Sequence, residues 1–268
     1  MEHPAPRQDT NPYLWPQVRS LPYFRALLRA VEADFYRHFE LQSPILDVGC
    51  GDGQFASVVF KQPIDVGFDP YAPSLREAKT FGVYQGLAQS LGAPTPFPDA
   101  YFASAFSNSV LEHIPDLQAV LNETGRVLRS GALFLFCVPN HRWPENLSIA
   151  NFLKKIGLRG LASAYIRFFT RISRHVYMLS PEEWEKRLKA AGFALDDYWH
   201  YFPPAALHAL EWGHYFGLPS WVARGLTRRW VMAPYRWNLG LTERLIRRHA
   251  RGGAHPDGTY TWYVARRG

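Results

Sequence analysis

The densest chemistry in the chain lies in Ile45-Leu-Asp-Val-Gly-Cys-Gly-Asp-Gly-Gln54. A short apolar run stopped by glycine reads as a buried strand, and the residues after it open a helix. Such a turn points backbone N–H groups at a ligand, with glycine wherever the chain comes close or takes positive φ. Glycine loops of this kind serve nicotinamide, flavin and nucleotide enzymes alike, but two features narrow the choice. The run is Gly49-x-Gly51-x-Gly53 around Cys50, without the third glycine at the dinucleotide-fingerprint spacing. Asp47, just before the loop, would repel a pyrophosphate yet can accept from the ammonium of an amino-acid-bearing ligand. Asp69 ends a second apolar run eighteen residues after Gly51, followed by Pro70. A carboxylate there is placed to accept both hydroxyls of a ribose.

The elements that must hold these residues follow from periodicity. Leu27, Leu28, Val31, Phe35 and Phe39 give a first helix over Leu21 to Glu40. Pro44 to Gly49, Ile64 to Asp69, Val83 to Gln85, Tyr101 to Ser107 and Ala132 to Val138 read as strands, separated by helices at Gln54 to Phe60, Ser74 to Thr80 and Leu117 to Leu128. Ser180-Pro181-Glu182-Glu183 starts a helix that stops at Gly192, with strands over Phe193 to Tyr201 and Thr259 to Ala265. Strands alternating with helices at this spacing imply right-handed βαβ units, hence a doubly wound α/β sheet covered on both faces.

The glycine segment resembles motif I of the class I (Rossmann-like) S-adenosylmethionine-dependent methyltransferases, of the type 11 group. The resemblance extends through Gly67-Phe-Asp-Pro70, Pro96-Phe-Pro-Asp99 and Ser109-Val-Leu-Glu-His-Ile114. It continues into Leu121 to Gly131, where Ser130 and Ala132 depart from the family's RVLRPGG turn, and into Tyr177 to Phe193. It implies a seven-stranded, mostly parallel sheet in the order 3-2-1-4-5-7-6, with the seventh strand antiparallel. It implies S-adenosylmethionine over the first strands, with Asp47, Gly49, Cys50 and Gly51 near the methionine end. Asp69 would hold the ribose, Pro70 and Ala88 would lie beside adenine, and Asn108 would lie below the sulfonium. Leu87 replaces the acid that often precedes the alanine at 88, and Ala103 the aspartate common after the aromatic at 102. An acid beside the loop favours adenosylmethionine over a dinucleotide. An alcohol or amine acceptor also benefits from a base, for which His113, just beyond the fourth strand, is the best-placed candidate; a positioning role is its alternative. His141 and His175 are further candidates from the mouth of the site.

Charge then divides the chain. Residues 141–178 carry seven Lys/Arg against Glu145 alone, a net +6, and residues 203–257 carry eight Arg against three acids, a net +5. The rest of this +7 chain is therefore net −4. These basic, Trp- and Tyr-rich segments (141–175 and 203–257) are expected to be helical insertions forming an acceptor-binding lid. They interrupt a cofactor domain of residues 41–140, 176–202 and 258–268, with residues 1–40 an N-terminal segment and helix. Trp221, Val222, Leu226 and Trp230 follow helical spacing, with Arg224, Arg228 and Arg229 elsewhere around it. That helix either lies at a membrane interface or packs its apolar stripe inward.

The acceptor is expected to be a small-molecule or lipid-linked anion, methylated on oxygen or nitrogen, with peripheral membrane contact an option. RNA methylation is the rival, opposed by the lack of a separate RNA-binding motif. A non-catalytic binding protein is opposed by the preserved acids and glycines, and a nicotinamide oxidoreductase by the loop. At 47% hydrophobic and 20% charged residues the chain is globular rather than disordered. Cys50 and Cys137, in core segments without metal-ligand spacing, suggest a reducing, cytoplasmic setting. No secretory signal is visible, and Pro203, Pro204, Glu211 and Pro219 break the apolar stretch Phe202 to Ala223, so no spanning helix is expected.

Overall fold

The computed structural model describes residues 2–227 and 229–268, without the side chains of Leu218, Pro219 and Trp221. In chain order the elements are α1 (Leu14–Ser20), α2 (Tyr23–Tyr36), β1 (Ile45–Val48), α3 (Gln54–Val59), β2 (Ile64–Asp69), α4 (Ala72–Phe81), β3 (Tyr84–Gln89) and β4 (Phe102–Asn108). There follow α5 (Leu117–Val127), β5 (Leu128–Pro139), α6 (Ser148–Lys155), α7 (Arg159–Ile172), α8 (Pro181–Ala190), β6 (Phe193–Tyr201), α9 (Pro204–Phe216), α10 (Leu218–Thr227), α11 (Arg236–Ile246) and β7 (Tyr260–Arg267). The seven strands pair in the order β3-β2-β1-β4-β5-β7-β6, with β7 antiparallel to both neighbours and the other neighbouring pairs parallel. Sheet class and strand order agree with the expectation from sequence.

The sheet separates two cores, as an α/β sheet with helices on both faces requires. On one face α5 and α8 bring Leu117, Leu121, Trp184 and Leu188 against Phe134, Phe136 and Tyr263. On the other, α2 and α9 pack over Leu135, Trp199 and Trp262, with Phe35 meeting Trp199, Tyr201 and Trp262 edge-on at 5.0–5.5 Å. Between them α2 and the inserted helices cover this face and give the site its roof. Helix α8 begins with the capping box that Ser180 and Glu183 predict: the Ser180 hydroxyl accepts from the Glu183 N–H, and the Glu183 carboxylate accepts from the Ser180 N–H.

Three boundaries differ from the sequence reading. The helix expected over Leu21 to Glu40 is the shorter α2, Tyr23–Tyr36, and an additional helix, α1, precedes it, set apart by Pro22 at extended ψ. Strand β3 runs to Gln89, carried by five register pairs with β2 rather than by any apolar run of its own. The spacing that led from Trp221 to Trp230 stops at Thr227, so Trp230 lies beyond α10. Arg228 and the Trp221 side chain fall outside the described residues. Both basic insertions are mainly helical, and no helix among the described residues is long and apolar enough to cross a membrane.

Candidate active site

A cavity of about 880 Å³ opens at the carboxyl ends of β1, β2 and β4, where open α/β sheets bind ligands. Its floor is the glycine turn. Gly49 and Cys50 donate their N–H groups to the Phe68 carbonyl at 3.0 and 2.9 Å, which closes the turn onto β2. At Gly49 (φ +81°) a Cβ would stand 2.4 Å from Val110 Cγ1, so glycine is required for close packing. At Gly51 (φ +55°) nothing lies within 4 Å of a would-be Cβ. Gly51 itself lines the cavity, so a ligand there can approach its backbone closely.

Two carboxylates flank the cradle. Asp47 is buried, and the hydrogen bond its carboxylate accepts among the described residues is from the Tyr84 hydroxyl at 2.6 Å. Burial pushes its carboxyl up to about 7, against the pull of that bond and of Arg29. A buried acid with one neutral donor and a free side to the cavity suits an ammonium group. Asp69 accepts from Gly51 N–H at 3.1 Å on one oxygen and Tyr71 N–H at 2.9 Å on the other. These bonds fix its orientation, each oxygen keeps acceptor capacity toward the cavity, and desolvation raises its carboxyl above the ordinary range. The residues present therefore fit S-adenosylmethionine: an acid for the amino group, open glycine beside it, and an oriented acid for the ribose.

Below lies a polar network that sequence reasoning missed. Glu32, fully buried on α2, accepts from Asn108 Nδ2 at 2.6 Å, Ser109 Oγ at 2.7 Å and the Tyr201 hydroxyl at 3.1 Å. Arg29 donates to the Asn108 carbonyl at 2.9 Å and stands 3.9 Å from Glu32. The end of β4 is thereby locked in one conformation. Arg25, one turn before Arg29, lines the cavity; it makes no hydrogen bond or ion pair among the described residues, and Asp52 acts on it only through space. Its guanidinium faces the Trp230 ring at 5.5 Å. Burial, with Arg29 and Arg224 nearby, lowers it to about 10, so it remains charged at neutral pH. A sequence signal existed: Arg25, Arg29 and Glu32 interrupt the strongly apolar helix at spacings that place them on one side.

Of the residues singled out from sequence, Asp47, Gly49, Cys50, Gly51, Asp69, Pro70, Asn108 and His113 all line the cavity. Two do not. Ala88 is half-buried in β3, paired with Phe68 and packed on the α5–α8 core; Leu91, three residues on, is what reaches the cavity from this edge. His141 is exposed off the cavity wall, in the field of Glu182 and His200. His175 does reach the wall, stacked on His113 at 5.5 Å between ring centres. His113 Nδ1–H donates to the Arg174 carbonyl at 2.9 Å, which turns Nε2 toward Glu112 Oε1 at 3.7 Å. Cys50 and Cys137 are buried free thiols.

The inserted segments form the far wall through Ile172 to His175, Leu210, His214, Arg224 and Trp230. Their positive charge is less available than counting suggests. Arg224 is bound to Glu77 at 2.7 Å, and Arg236 and Arg247 share Glu243 at 3.1 and 3.2 Å. Glu211 is consumed internally, accepting from Ser148, Ile149 and Tyr165.

Comparison with known proteins agrees with this geometry. The ajmaline N-methyltransferase of Rauvolfia serpentina is 28% identical over 148 residues, covering 51% of this chain and 50% of that enzyme. The chain thus spans about half the length of this curated relative. A SAM-dependent methyltransferase from Thermotoga maritima superposes with a TM-score of 0.56 at 13% identity, over 91% of each chain. Geranyl diphosphate methyltransferase, solved with GPP and sinefungin, gives 0.54 at 16% identity over 92% of this chain and 84% of that one. The family described as "Methyltransferase domain" matches residues 18–198. With strand order, glycine cradle and both acids in place, the chain belongs to that family, the class I S-adenosylmethionine-dependent methyltransferases.

Proposed function

We propose that the chain methylates an oxygen or nitrogen of an anionic, lipid-linked acceptor. S-adenosylmethionine supplies an already activated methyl group, so the protein's task is alignment and exclusion of water; proximity alone is worth roughly 7–11 kcal/mol. Asp47 would hold the cofactor's ammonium, Asp69 its ribose hydroxyls, and the Glu32-anchored end of β4 the wall below the sulfonium. An acceptor hydroxyl or ammonium must also lose a proton, and His113 Nε2, on the wall beside Glu112, is the group placed to take it.

The observation that carries the acceptor's charge is Arg25, a desolvated cation on the cavity wall that no acid among the described residues meets in an ion pair, Asp52 offsetting it only in part against Arg29 and Arg224. Such a group favours a carboxylate or phosphate. The surface of α6 and α7 supports the lipid. Helix α7 packs Ala162 and Phe169 inward, yet Leu161, Phe168 and Ile172 form a second stripe that is 42–57% exposed. Phe152 and Ile156 extend it, and Lys154, Lys155, Arg159, Arg167 and Arg171 surround it. Apolar residues among cations suit an anionic membrane interface. Ile172 belongs both to that stripe and to the cavity wall, which makes the mouth continuous with the apolar surface.

Two measurements test this. Calorimetry is expected to show adenosylmethionine and adenosylhomocysteine binding, with NAD much weaker; equal NAD affinity would remove the methyltransferase reading. Methyl-labelled cofactor offered with carboxylate- and phosphate-bearing lipids and their neutral esters is expected to label only the anions. Arg25→Gln should then raise the acceptor KM roughly ten-fold at unchanged adenosylhomocysteine affinity. A fall in cofactor affinity instead would place Arg25 on the cofactor's own carboxylate.

A further inference from the structure

We infer that Glu112, His113 and His175 form a binding site for one divalent transition-metal ion on the wall of the cavity. One ligand atom from each lies within 4.8 Å of the others, and all three residues line the cavity. Glu112 and His113 stand on the single helical turn Leu111–His113 that follows β4, whereas His175 arrives from the loop after α7. The two segments are pinned together by backbone. The Val176 and Tyr177 N–H groups both donate to the Glu112 carbonyl, at 2.8 and 3.1 Å. The bond from His113 Nδ1–H to the Arg174 carbonyl turns Nε2 toward Glu112, 3.7 Å from Oε1. An imidazole that gives one nitrogen's proton to a backbone carbonyl and keeps the other as a lone pair is the usual support for a metal-bound histidine.

The cluster is also incomplete as it stands. Glu112 is 1% exposed, yet Oε2 has no hydrogen-bond partner, and neither has the buried Nδ1 of His175. Buried polar atoms are normally partnered, and a bound ion would satisfy a carboxylate oxygen and a neutral imidazole together. Two nitrogens and one carboxylate oxygen are the donor set of catalytic zinc and of related first-row ions, which keep positions open for a substrate oxygen. Bonds of about 2.0–2.2 Å place ligand atoms about 3–3.5 Å apart, so atoms now within 4.8 Å of one another must draw together by about 1.8 Å at most. An ion there would present its open positions to the cavity, to acceptor oxygens. That role rests on the methyl-transfer reading and displaces His113 Nε2 from the proton-accepting one; the ion's binding rests on neither.

The test uses the whole, tag-free chain stripped of metal and titrated with cobalt(II), followed by visible absorption and by metal content after dialysis. One retained cobalt per chain with a d–d band is expected. Glu112→Gln and His175→Ala should each weaken cobalt binding at least ten-fold while their circular dichroism and adenosylhomocysteine affinity match the wild type. Should Glu112→Gln fail to fold, His175→Ala and His113→Ala decide. Cobalt lost on dialysis from the wild type, or unchanged affinity in folded variants, overturns the site. Retained cobalt without adenosylhomocysteine binding would uphold the site and sink the methyltransferase reading instead.

Discussion

The cavity wall built from β1, β2 and β4 draws its chemistry from short runs between Asp47 and Pro115, whereas the facing wall gathers Arg25, Ile172, His175, His214 and Trp230 from across the chain. The first wall binds largely with backbone and with acids one strand apart. The second depends on helices packed over the sheet before any of its side chains face the ligand. Changes to the first wall should therefore act on cofactor affinity or on the local fold, and changes to the second on the acceptor or on a surface.

The largest expected effect separates two glycines of the first wall. In Gly49→Ala the new Cβ meets Val110 Cγ1 at 2.4 Å in a left-handed conformation. Overpacking and strain together should cost on the order of 3 kcal/mol, read in urea melts. Gly51→Ala meets no atom within 4 Å, so stability should fall by only about 1–2 kcal/mol while adenosylhomocysteine binding is lost from the filled cradle. Equal melting losses with cofactor affinity retained at 51 would show that the space there is not the cofactor's.

Next in size, Asp69→Ala should weaken cofactor binding roughly ten- to a hundred-fold, with a smaller change in melting, because its partners are two backbone N–H groups of the turn that lines the cavity. Wild-type affinity in this variant would leave Asp69 a turn residue only.

A smaller effect is set by Asp47, and its sign follows from the carboxyl's elevation from 3.8 to about 7 by burial. The ionised form is the one the folded state disfavours, so the empty protein should lose stability as pH rises from about 4 to 7 and level off above. A cationic amino group favours the ionised form. Cofactor affinity should therefore rise about eight-fold between pH 6 and 7.5, measured by calorimetry, and Asp47→Asn should flatten that rise. A fall in affinity over the same interval would exclude the ammonium pairing.

The same contrast explains what the sequence disclosed. The first wall was legible because its determinants are local: a strand, a glycine turn and an acid at the end of the next strand need only spacing to be recognised. Asp47, Gly51 and Asp69 all line the cavity. Ala88 was misplaced relative to the cavity because the edge strand β3 takes its length and register from β2, not from its own residues. Arg25 and Glu32 stayed hidden since a charged residue on an amphipathic helix is read as solvent-facing until a second layer covers it. Arg224 was overvalued for the converse reason: its partner, Glu77, is 147 residues away in sequence.

That last pair gives the smallest predicted effect and the sharpest test of the second wall. If the insertions attract anionic surfaces by charge count, Arg224→Gln and Arg171→Gln should weaken binding to anionic vesicles alike. Arg224 is held 2.7 Å from Glu77, so its charge is largely cancelled at short range, whereas Arg171 is exposed beside Phe168 and Ile172. Each exposed cation near such a surface is worth about 1 kcal/mol and fades within a Debye length. Arg171→Gln should therefore weaken sedimentation with anionic vesicles about five-fold at low salt, and Arg224→Gln hardly at all. Replacing Leu161 and Phe168 with Ser should abolish the part that survives high salt, because apolar burial is not screened. Transfer RNA provides the contrast: it offers phosphates without an apolar layer, so a protein that binds it through moderate salt and ignores vesicles would have the stripe on α7 serving some other contact.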